Sequence, residues 1–368
     1  MTTASGPKMP ETPQTLFDHA SALHRLAPDQ PLPREGEPFP DDQAHDEASS
    51  PKYSKHQRLG SEVAGLLAEY LADSDAQAHE LAPAFHGLYV PIHPNEHIDY
   101  AAKNADRDRV LATGRWLVRN GTDRCTVTMG LSIIGAVGID PQDIPLVQTI
   151  GLLSERFGAL AARALKEVDG GAQALIWLAD RVEGWGRVYI VEAICGLRDP
   201  TTFPWLLRKG VDGDFLAGYY AGKIADTGRL HEAVGKFDSD PELVDATCLL
   251  LATMCQCEGM GSTLGPYPHA GPVLSAHSRA LAQMGPTPIR IQAAAVIAQY
   301  LGLKNPHAAA TSAAWNAART LYIEALGSES WAEGARAAVR RGDRVMSWIA
   351  KDVAPGLGLP WAATSAEE

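Results

Sequence analysis

The stretch Asp140-Pro141-Gln142-Asp143-Ile144-Pro145-Leu146-Val147 has a near-copy later in the chain, Asp199-Pro200-Thr201-Thr202-Phe203-Pro204-Trp205-Leu206. Both follow the frame Asp-Pro-x-x-apolar-Pro-apolar-apolar, and the second begins 59 residues after the first. Internal repetition at such an interval is typical of stacked repeat architectures. Because these architectures usually present extended binding surfaces, the repeated phrase predicts a chain that holds a partner.

Apolar residues recur with helical spacing on both sides of this phrase, from about residue 56 to residue 256. The clearest segment runs from Leu152 to Val168 and is followed by Asp169-Gly170-Gly171, a typical helix end. The repeat interval holds about four short helices, or two hairpins, and no segment has the period of a strand. A single short hairpin cannot bury its apolar face, so neighbouring hairpins must stack. The sequence therefore predicts an all-α fold.

The segment from Arg187 to Pro200, continuing through Pro204-Trp205-Leu206-Leu207, resembles the HEAT-like repeats. It is similar in particular to the short subtype first noted in phycobilin lyases. Those units have an arginine early in the second helix, then Ala and Leu-Gly, an Asp-Pro turn and Pro-x-Leu-Leu. The resemblance extends over roughly residues 105–256 and departs from the family at Phe215-Leu216, where Val-Arg is usual. It implies an α-solenoid and says almost nothing about activity.

The composition of the chain changes along its length and suggests five regions. Nine of the 25 prolines fall before residue 53, which favours disorder there. We expect a disordered Pro-rich arm (1–52), HEAT-like helical repeats (53–256), a Gly/Pro-rich loop (257–272), a C-terminal helical cap (273–355) and a tail (356–368). A loop of that length is often functional or mobile.

One segment of the arm has a helical stripe. Leu16, Ala20, Leu23 and Ala27 recur at intervals of three and four residues. Two interpretations stay open at this point. The helix is transient or docks on its own domain, or it is a short segment that binds a partner.

The charge and cysteine content limit the functional classes. The net charge of −12 disfavours binding to nucleic acid phosphates and mildly favours a basic protein partner. Five cysteines, an odd number in apolar surroundings, suggest reduced thiols in a cytoplasmic protein. The first residues have no signal-peptide core, and no apolar stretch has the length of a membrane span, so we expect no membrane association.

Several short motifs suggest metal sites, but in each case another feature of the sequence argues against a metal. His93-Pro94-Asn95-Glu96-His97 has the letters of inverted zinc peptidases, but Pro94 favours a helix start with His93 outside the helix. His79-Glu80 and His231-Glu232 resemble the pairs of deoxyhypusine hydroxylase, a HEAT-like enzyme that needs four of them. We therefore expect no metal, no cofactor and no catalytic residue.

The cysteines and the glycine-rich loop also favour structural interpretations. Cys248 and Cys255 share one helical face, where cysteine packs as a small apolar residue, although Cys255-Gln256-Cys257 leaves a thiolate metal site open. Residues 259–265 are rich in glycine but fit no phosphate-binding motif, so we expect a flexible surface loop.

An aromatic cluster is the strongest binding signal in the sequence. Six tryptophans and tyrosines fall between residues 177 and 220, in a chain with 7% aromatic residues. In HEAT-like arrays the second helices line the concave surface, and the resemblance implies the same here. The predicted binding residues are Arg187, Tyr189, Glu192, Tyr219 and Tyr220.

These observations favour a noncatalytic protein-binding function, as a scaffold, an adaptor or an inhibitory partner such as an immunity protein. The alternative is a HEAT-like enzyme, either a DNA-base glycosylase or a metal-dependent modification enzyme. Glycosylases of that class hold DNA in a groove with basic and aromatic residues, and this chain has the aromatic residues without the positive charge.

Overall fold

The computed structural model describes residues 14–43, 45, 59–85, 87–304 and 312–362. Every regular element in these residues is a helix, and no strand occurs among them, which confirms the predicted all-α fold. The chain divides into two compact units, Met1–Leu197 and Arg198–Glu368, called the first and second unit below. None of the described helices is long and apolar enough to cross a membrane.

The helices of the first unit are short, and three of them begin at an acidic or amide side chain that caps the helix. Asn95, Asp106 and Asp123 each accept hydrogen bonds from backbone N–H groups of the helix that follows. The unit contains α1 (Leu16–Leu26), α2 (Ser61–Ala72), α3 (Ala78–Leu81), α4 (Glu96–Lys103), α5 (Arg107–Asn120), α6 (Arg124–Val137), α7 (Ile144–Gly151), α8 (Ser154–Lys166), α9 (Gly171–Ala179) and α10 (Gly184–Leu197).

The repeated phrase forms the same local structure twice, once in each unit. Asp140 and Asp199 precede 3₁₀ turns at Pro141–Asp143 and Pro200–Thr202, and each turn leads directly into a short α-helix. Proline fits these positions because the first N–H groups of a helix have no intrahelical partner. The phrase is therefore a helix-start signal whose two copies serve equivalent elements.

Packing in the first unit follows two series of helices. Helices α4, α6, α8 and α10 contact one another in that order, and α5, α7 and α9 form a second series beside them. Helix α1 packs on α5 and α7. The interior contains large apolar side chains without solvent exposure, including Leu117, Ile133, Phe157, Leu160 and Ile190. Burial of such side chains is the main source of stability.

The N-terminal arm is folded where its composition predicted disorder. Residues 14–43 pack on the first unit, and Leu16, Ala20 and Leu32 are almost fully buried. The backbone N–H of Leu16 donates to the carbonyl of Gly121. Of the two interpretations of the helix at Gln14–Ala27, the structure shows docking on its own domain. Residues 1–13 and 46–58 lie outside the described residues, so the predicted disorder stays a prediction there.

The second unit begins with short, irregular helices and continues with longer ones. The segment that follows Asp214 is not one regular helix, because a 3₁₀ turn at Phe215–Tyr219 precedes the α-helix Ala221–Thr227. The helices are α11 (Phe203–Lys209), α12 (Ala221–Thr227), α13 (Leu230–Ala233), α14 (Pro241–Gln256), α15 (Ala270–Gln283), α16 (Pro288–Leu303), α17 (Ser312–Gly327), α18 (Glu329–Arg340) and α19 (Arg344–Trp348).

The Gly/Pro-rich loop is packed, and α15 begins at Ala270 rather than at residue 273. Leu264 and Tyr267 are buried, and the Leu264 N–H donates to the carbonyl of Met254. Glycine is required at residue 261, because a Cβ there would lie 2.3 Å from the carbonyl oxygen of Gly218. The expected flexible surface loop is therefore corrected to a close-packed connection.

The beginning of the predicted tail is also packed. The indole Nε1 of Trp361 donates to the carbonyl of Leu326 at 2.9 Å, and the Trp361 side chain is buried. Residues 363–368 lie outside the described residues.

Candidate functional site

The structure places the five predicted binding residues in different environments. Arg187, Tyr189 and Glu192 lie on α10 of the first unit, whereas in the second unit Tyr219 ends the 3₁₀ turn and Tyr220 follows it. Arg187 is 7% exposed and Tyr220 is 1% exposed, so both side chains belong to the interior. The surface prediction is corrected for these two residues and stays a prediction for the other three.

The burial of Arg187 has a local cause. Its guanidinium donates a hydrogen bond to the carbonyl of Ala179, the last residue of α9. The last carbonyls of a helix lack intrahelical donors, and a cation near them interacts favourably with the helix dipole. Arg187 therefore ties α10 to the end of α9 and contributes to the fold.

Tyr189 and Glu192 share the opposite face of α10 with Trp185. Spacings of four and three residues place these three side chains in one row along the helix. Trp185 is 40% exposed, and its ring centroid lies 6.2 Å from that of Tyr189 with the planes 29° apart. The imidazole of His93 approaches Tyr189 edge-on at 5.3 Å. Three aromatic rings thus lie together at the surface of the first unit.

Close helix packing positions an acidic side chain beside these rings. Helices α8 and α10 approach at two glycines, since a Cβ on Gly158 would lie 3.0 Å from the Cα of Gly186. This approach places Glu155, in the first turn of α8, near Tyr189. Burial raises the pKa of Tyr189, and the charges of Glu192 and Glu155 raise it further. We call His93, Glu155, Trp185, Tyr189 and Glu192 the acidic–aromatic patch.

A cavity of about 230 Å³ lies in the first unit next to this patch and shares Glu155 with it. It is bounded on one side by the folded arm. Its lining includes Glu35, Glu37 and Phe39 from the arm. We call it the arm cavity.

The arm also caps α8, which lacks a polar N-cap residue of its own. Leu153 occupies the N-cap position, and the Glu35 carboxylate accepts from the backbone of Glu155 and from the Ser154 hydroxyl, the latter at 3.1 Å. Burial raises the pKa of Glu35, and the charges of Glu155 and Glu183 raise it further, against the lowering effect of the Ser154 hydrogen bond. Acidic groups are therefore concentrated on this side of the first unit.

Larger grooves occur elsewhere in the described residues. One of about 560 Å³ lies between α2 and α4, and half of its twelve lining residues are alanine or glycine, with the exposed Tyr100 also in the lining. Another, of about 500 Å³, lies in the second unit around Phe203 and Pro204.

A connected group of three polar side chains in the second unit is sequestered from solvent. The Cys248 Sγ lies 3.3 Å from His277 Nε2, and His277 Nδ1 lies 2.8 Å from the Tyr322 hydroxyl. All three side chains have no exposed surface. Burial lowers the pKa of His277 to about 3 and raises that of Cys248 well above its usual range, so the triad is neutral at pH 7. The expected core role of Cys248 agrees with this environment.

The other predicted motifs do not assemble into a site. A helix starts close to Pro94 as expected, but both His93 and Pro94 precede α4, and Asn95 is the residue that caps it by accepting from the N–H groups of His97 and Ile98. His231 stacks on His269 with centroids 3.7 Å apart. Within the described residues, no group of three or more His, Cys, Asp or Glu side chains is arranged to hold a metal ion.

No protein-family model matches the chain, and no curated protein or solved structure shows significant similarity to it. The function must therefore be argued from the geometry of the site.

Sequence reasoning found Tyr189 and Glu192 but missed Trp185, Glu155 and His93 as their neighbours. The row formed by Trp185, Tyr189 and Glu192 was available from the sequence, because its spacing is that of one helix face. Glu155 and His93 come from other elements, so no local pattern could have associated them with α10.

Proposed function

We propose that this chain is a noncatalytic protein-binding module whose acidic–aromatic patch binds a basic segment of a partner protein. The observation that carries the proposal is the pairing of stacked Trp185 and Tyr189 rings with the carboxylates of Glu155 and Glu192. A lysine or arginine is attracted both to the face of an aromatic ring and to a nearby carboxylate. The overall charge of −12 favours the same class of partner.

The aromatic rings are expected to supply most of the affinity. An ion pair at an exposed site contributes little, because water screens the charges and ordering the side chains costs entropy. Tryptophan and tyrosine are enriched among the residues that dominate binding energies. The carboxylates then favour cationic partners over neutral or acidic ones and increase the rate of association.

We also propose that the fold is a HEAT-like α-solenoid, which acts in the cytoplasm as a scaffold, an adaptor or an inhibitory partner. The two series of helices in the first unit support the repeat interpretation. Five free cysteines support a reducing compartment. The acidic charge and the patch together support a protein rather than a nucleic acid as the partner.

The test uses the full-length protein and a fluorescent peptide of alternating lysine and glycine, with a glutamate–glycine peptide as the charge control. We expect Trp185→Ala to weaken binding of the lysine peptide at least about fivefold in fluorescence anisotropy. Trp348→Ala is the matched control, because Trp348 is 41% exposed and lies in the second unit. Equal losses in both variants, or equal binding of both peptides, would contradict the proposal.

A further inference from the structure

The arm cavity contains an arginine that forms no hydrogen bond or ion pair with the described residues, although the charge of Asp41 also acts on it. Two arginines line the cavity, Arg124 and Arg156. Arg124 forms ion pairs with Asp41 and Asp42. Arg156 makes no hydrogen bond or ion pair with the residues that the structure describes, and its Nε atom is buried. Burial lowers the pKa of Arg156, which means that its positive charge is held at a cost in solvation.

The rest of the cavity lining has the opposite charge. Glu35, Glu37 and Glu155 contribute carboxyl groups, while the charge of Arg124 is already balanced by its two aspartates. A simple anion would meet this excess of negative charge, and a simple cation would leave Arg156 unpaired. The lining is therefore complementary to a molecule that has one anionic group and at least one cationic group.

The volume of the cavity and its apolar lining further limit the ligands that it can hold. A volume of about 230 Å³ is below the range of roughly 300–1,000 Å³ that holds drug-sized ligands, so it suits a single amino-acid residue. Phe39 and Ile92 provide apolar wall for a methylene chain. Lysine and arginine have such a chain between their α-carbon and the charged end of the side chain.

We propose that the arm cavity binds a lysine or arginine residue through its free α-carboxylate and its cationic side chain. The carboxylate pairs with the guanidinium of Arg156, whose planar N–H groups can donate two parallel hydrogen bonds to it. The cationic end lies among Glu35, Glu37 and Glu155. The ligand is either the free amino acid or the C-terminal residue of a polypeptide. This inference does not depend on the proposed protein partner, because the cavity binds the residue by itself.

Calorimetry on the full-length protein with three probes tests the inference. L-Lysine has all the groups of the free amino acid, Nα-acetyl-L-lysine mimics a C-terminal residue, and L-lysinamide lacks the carboxylate. We expect L-lysinamide to bind at least tenfold more weakly than the tighter of the other two. Tighter binding of L-lysine identifies the free amino acid as the ligand, and tighter binding of Nα-acetyl-L-lysine identifies a C-terminal residue.

Binding measurements on substituted proteins test whether the carboxylate of the ligand pairs with Arg156. Arg156→Gln should reduce the affinity for the tighter carboxylate probe to that for L-lysinamide, whereas Arg344→Gln, on an exposed residue of the second unit, should leave both unchanged. Glu37→Gln should weaken all probes by a similar factor, and it keeps the test decisive if Arg156→Gln does not fold. Binding of L-lysinamide as tight as that of Nα-acetyl-L-lysine and L-lysine would overturn the inference. Lack of saturable binding by any probe up to about 20 mM would also overturn it.

Discussion

The two units differ in how they accommodate ionisable side chains in their interiors. Among the described residues, every buried aspartate and arginine belongs to the first unit, and Asp143 is held there by Arg115. The second unit instead buries His277 in a neutral triad with Cys248 and Tyr322. Removal of one partner from a buried ion pair destabilises the folded state, because the other charge stays buried without compensation. Protonation of a buried neutral histidine destabilises it as well, because the new charge is not solvated. The first unit should therefore be sensitive to charge removal and the second to acid.

The largest expected effect tests the ion pair of the first unit. Arg115 Nε donates to Asp143 at 2.7 Å, and a second nitrogen of Arg115 bonds both Asp143 and Asp140. Arg115→Leu should lower the free energy of unfolding of the first unit by roughly 3 kcal/mol, because Asp143 is left buried without its partner. Urea unfolding followed by pulse-labelled hydrogen exchange reports each unit separately.

Arg107→Leu is the matched control for that substitution. Arg107 also pairs with Asp140, but both side chains are substantially exposed. The expected loss is below about 1 kcal/mol. Equal losses of unfolding free energy in the two variants would show that the burial of Asp143 does not affect stability. That result would contradict the difference drawn between the two units.

The next effect is the response of the second unit to acid. The pKa of His277 is about 3 in the folded protein and close to 6.5 in the unfolded chain, so the unfolded state binds more protons between these values. Stability is thus complete above about pH 6.5 and declines as the pH falls, by up to about 1.4 kcal/mol per pH unit. Between pH 6.5 and 5.0 we expect a loss of about 1.6 kcal/mol in the second unit.

The remaining histidines set the controls for this prediction. Burial also lowers the pKa of His231 in the second unit and of His24 in the first, so a shallower decline is expected in the first unit as well. His277→Leu should flatten the pH dependence of the second unit even though it reduces its stability at pH 7. An unchanged slope in that variant would refute the assignment to His277.

The smallest effect compares one hydroxyl in each unit. Tyr322→Phe removes the hydroxyl 2.8 Å from His277 in a fully buried site, and we expect a loss of about 1 kcal/mol or more. Tyr70→Phe removes a longer contact, 3.3 Å to Thr113, in a partly exposed site of the first unit, and should cost less. Thermal unfolding of both variants at pH 7 measures the difference, and the reverse order would contradict the comparison.

Local sequence signals predicted the elements of the fold well. Asp106, Asp123 and the two Asp-Pro phrases mark helix starts because the capping interaction lies within a few residues of each cap. The same reasoning failed for the arm. Its prolines favour disorder locally, but residues such as Leu16 are ordered by contacts with helices more than 80 residues away. No local pattern contains that information.

The candidate site shows the same limit. Tyr189 and Glu192 were predicted because they depart from the buried stripe of their own helix. Arg187 departs from it too, but the structure uses its charge for a carbonyl on the preceding helix. Tyr220 was predicted from the aromatic cluster, but it lies between a 3₁₀ turn and an α-helix and its side chain is buried. Identifying a surface residue thus required knowing its neighbours.

The docked arm has a consequence for how the protein is made. Arg181 donates to the carbonyl of Pro28 across 153 residues of chain, so the arm cannot complete its contacts until α9 and the residues after it have left the ribosome. At synthesis rates of about 5–20 residues per second, this interval lasts roughly 8–30 seconds. Leu16 and Ala20 are accessible to nascent-chain chaperones during that time. A segment that is synthesised before the helices it packs on is therefore among the last to reach its native position.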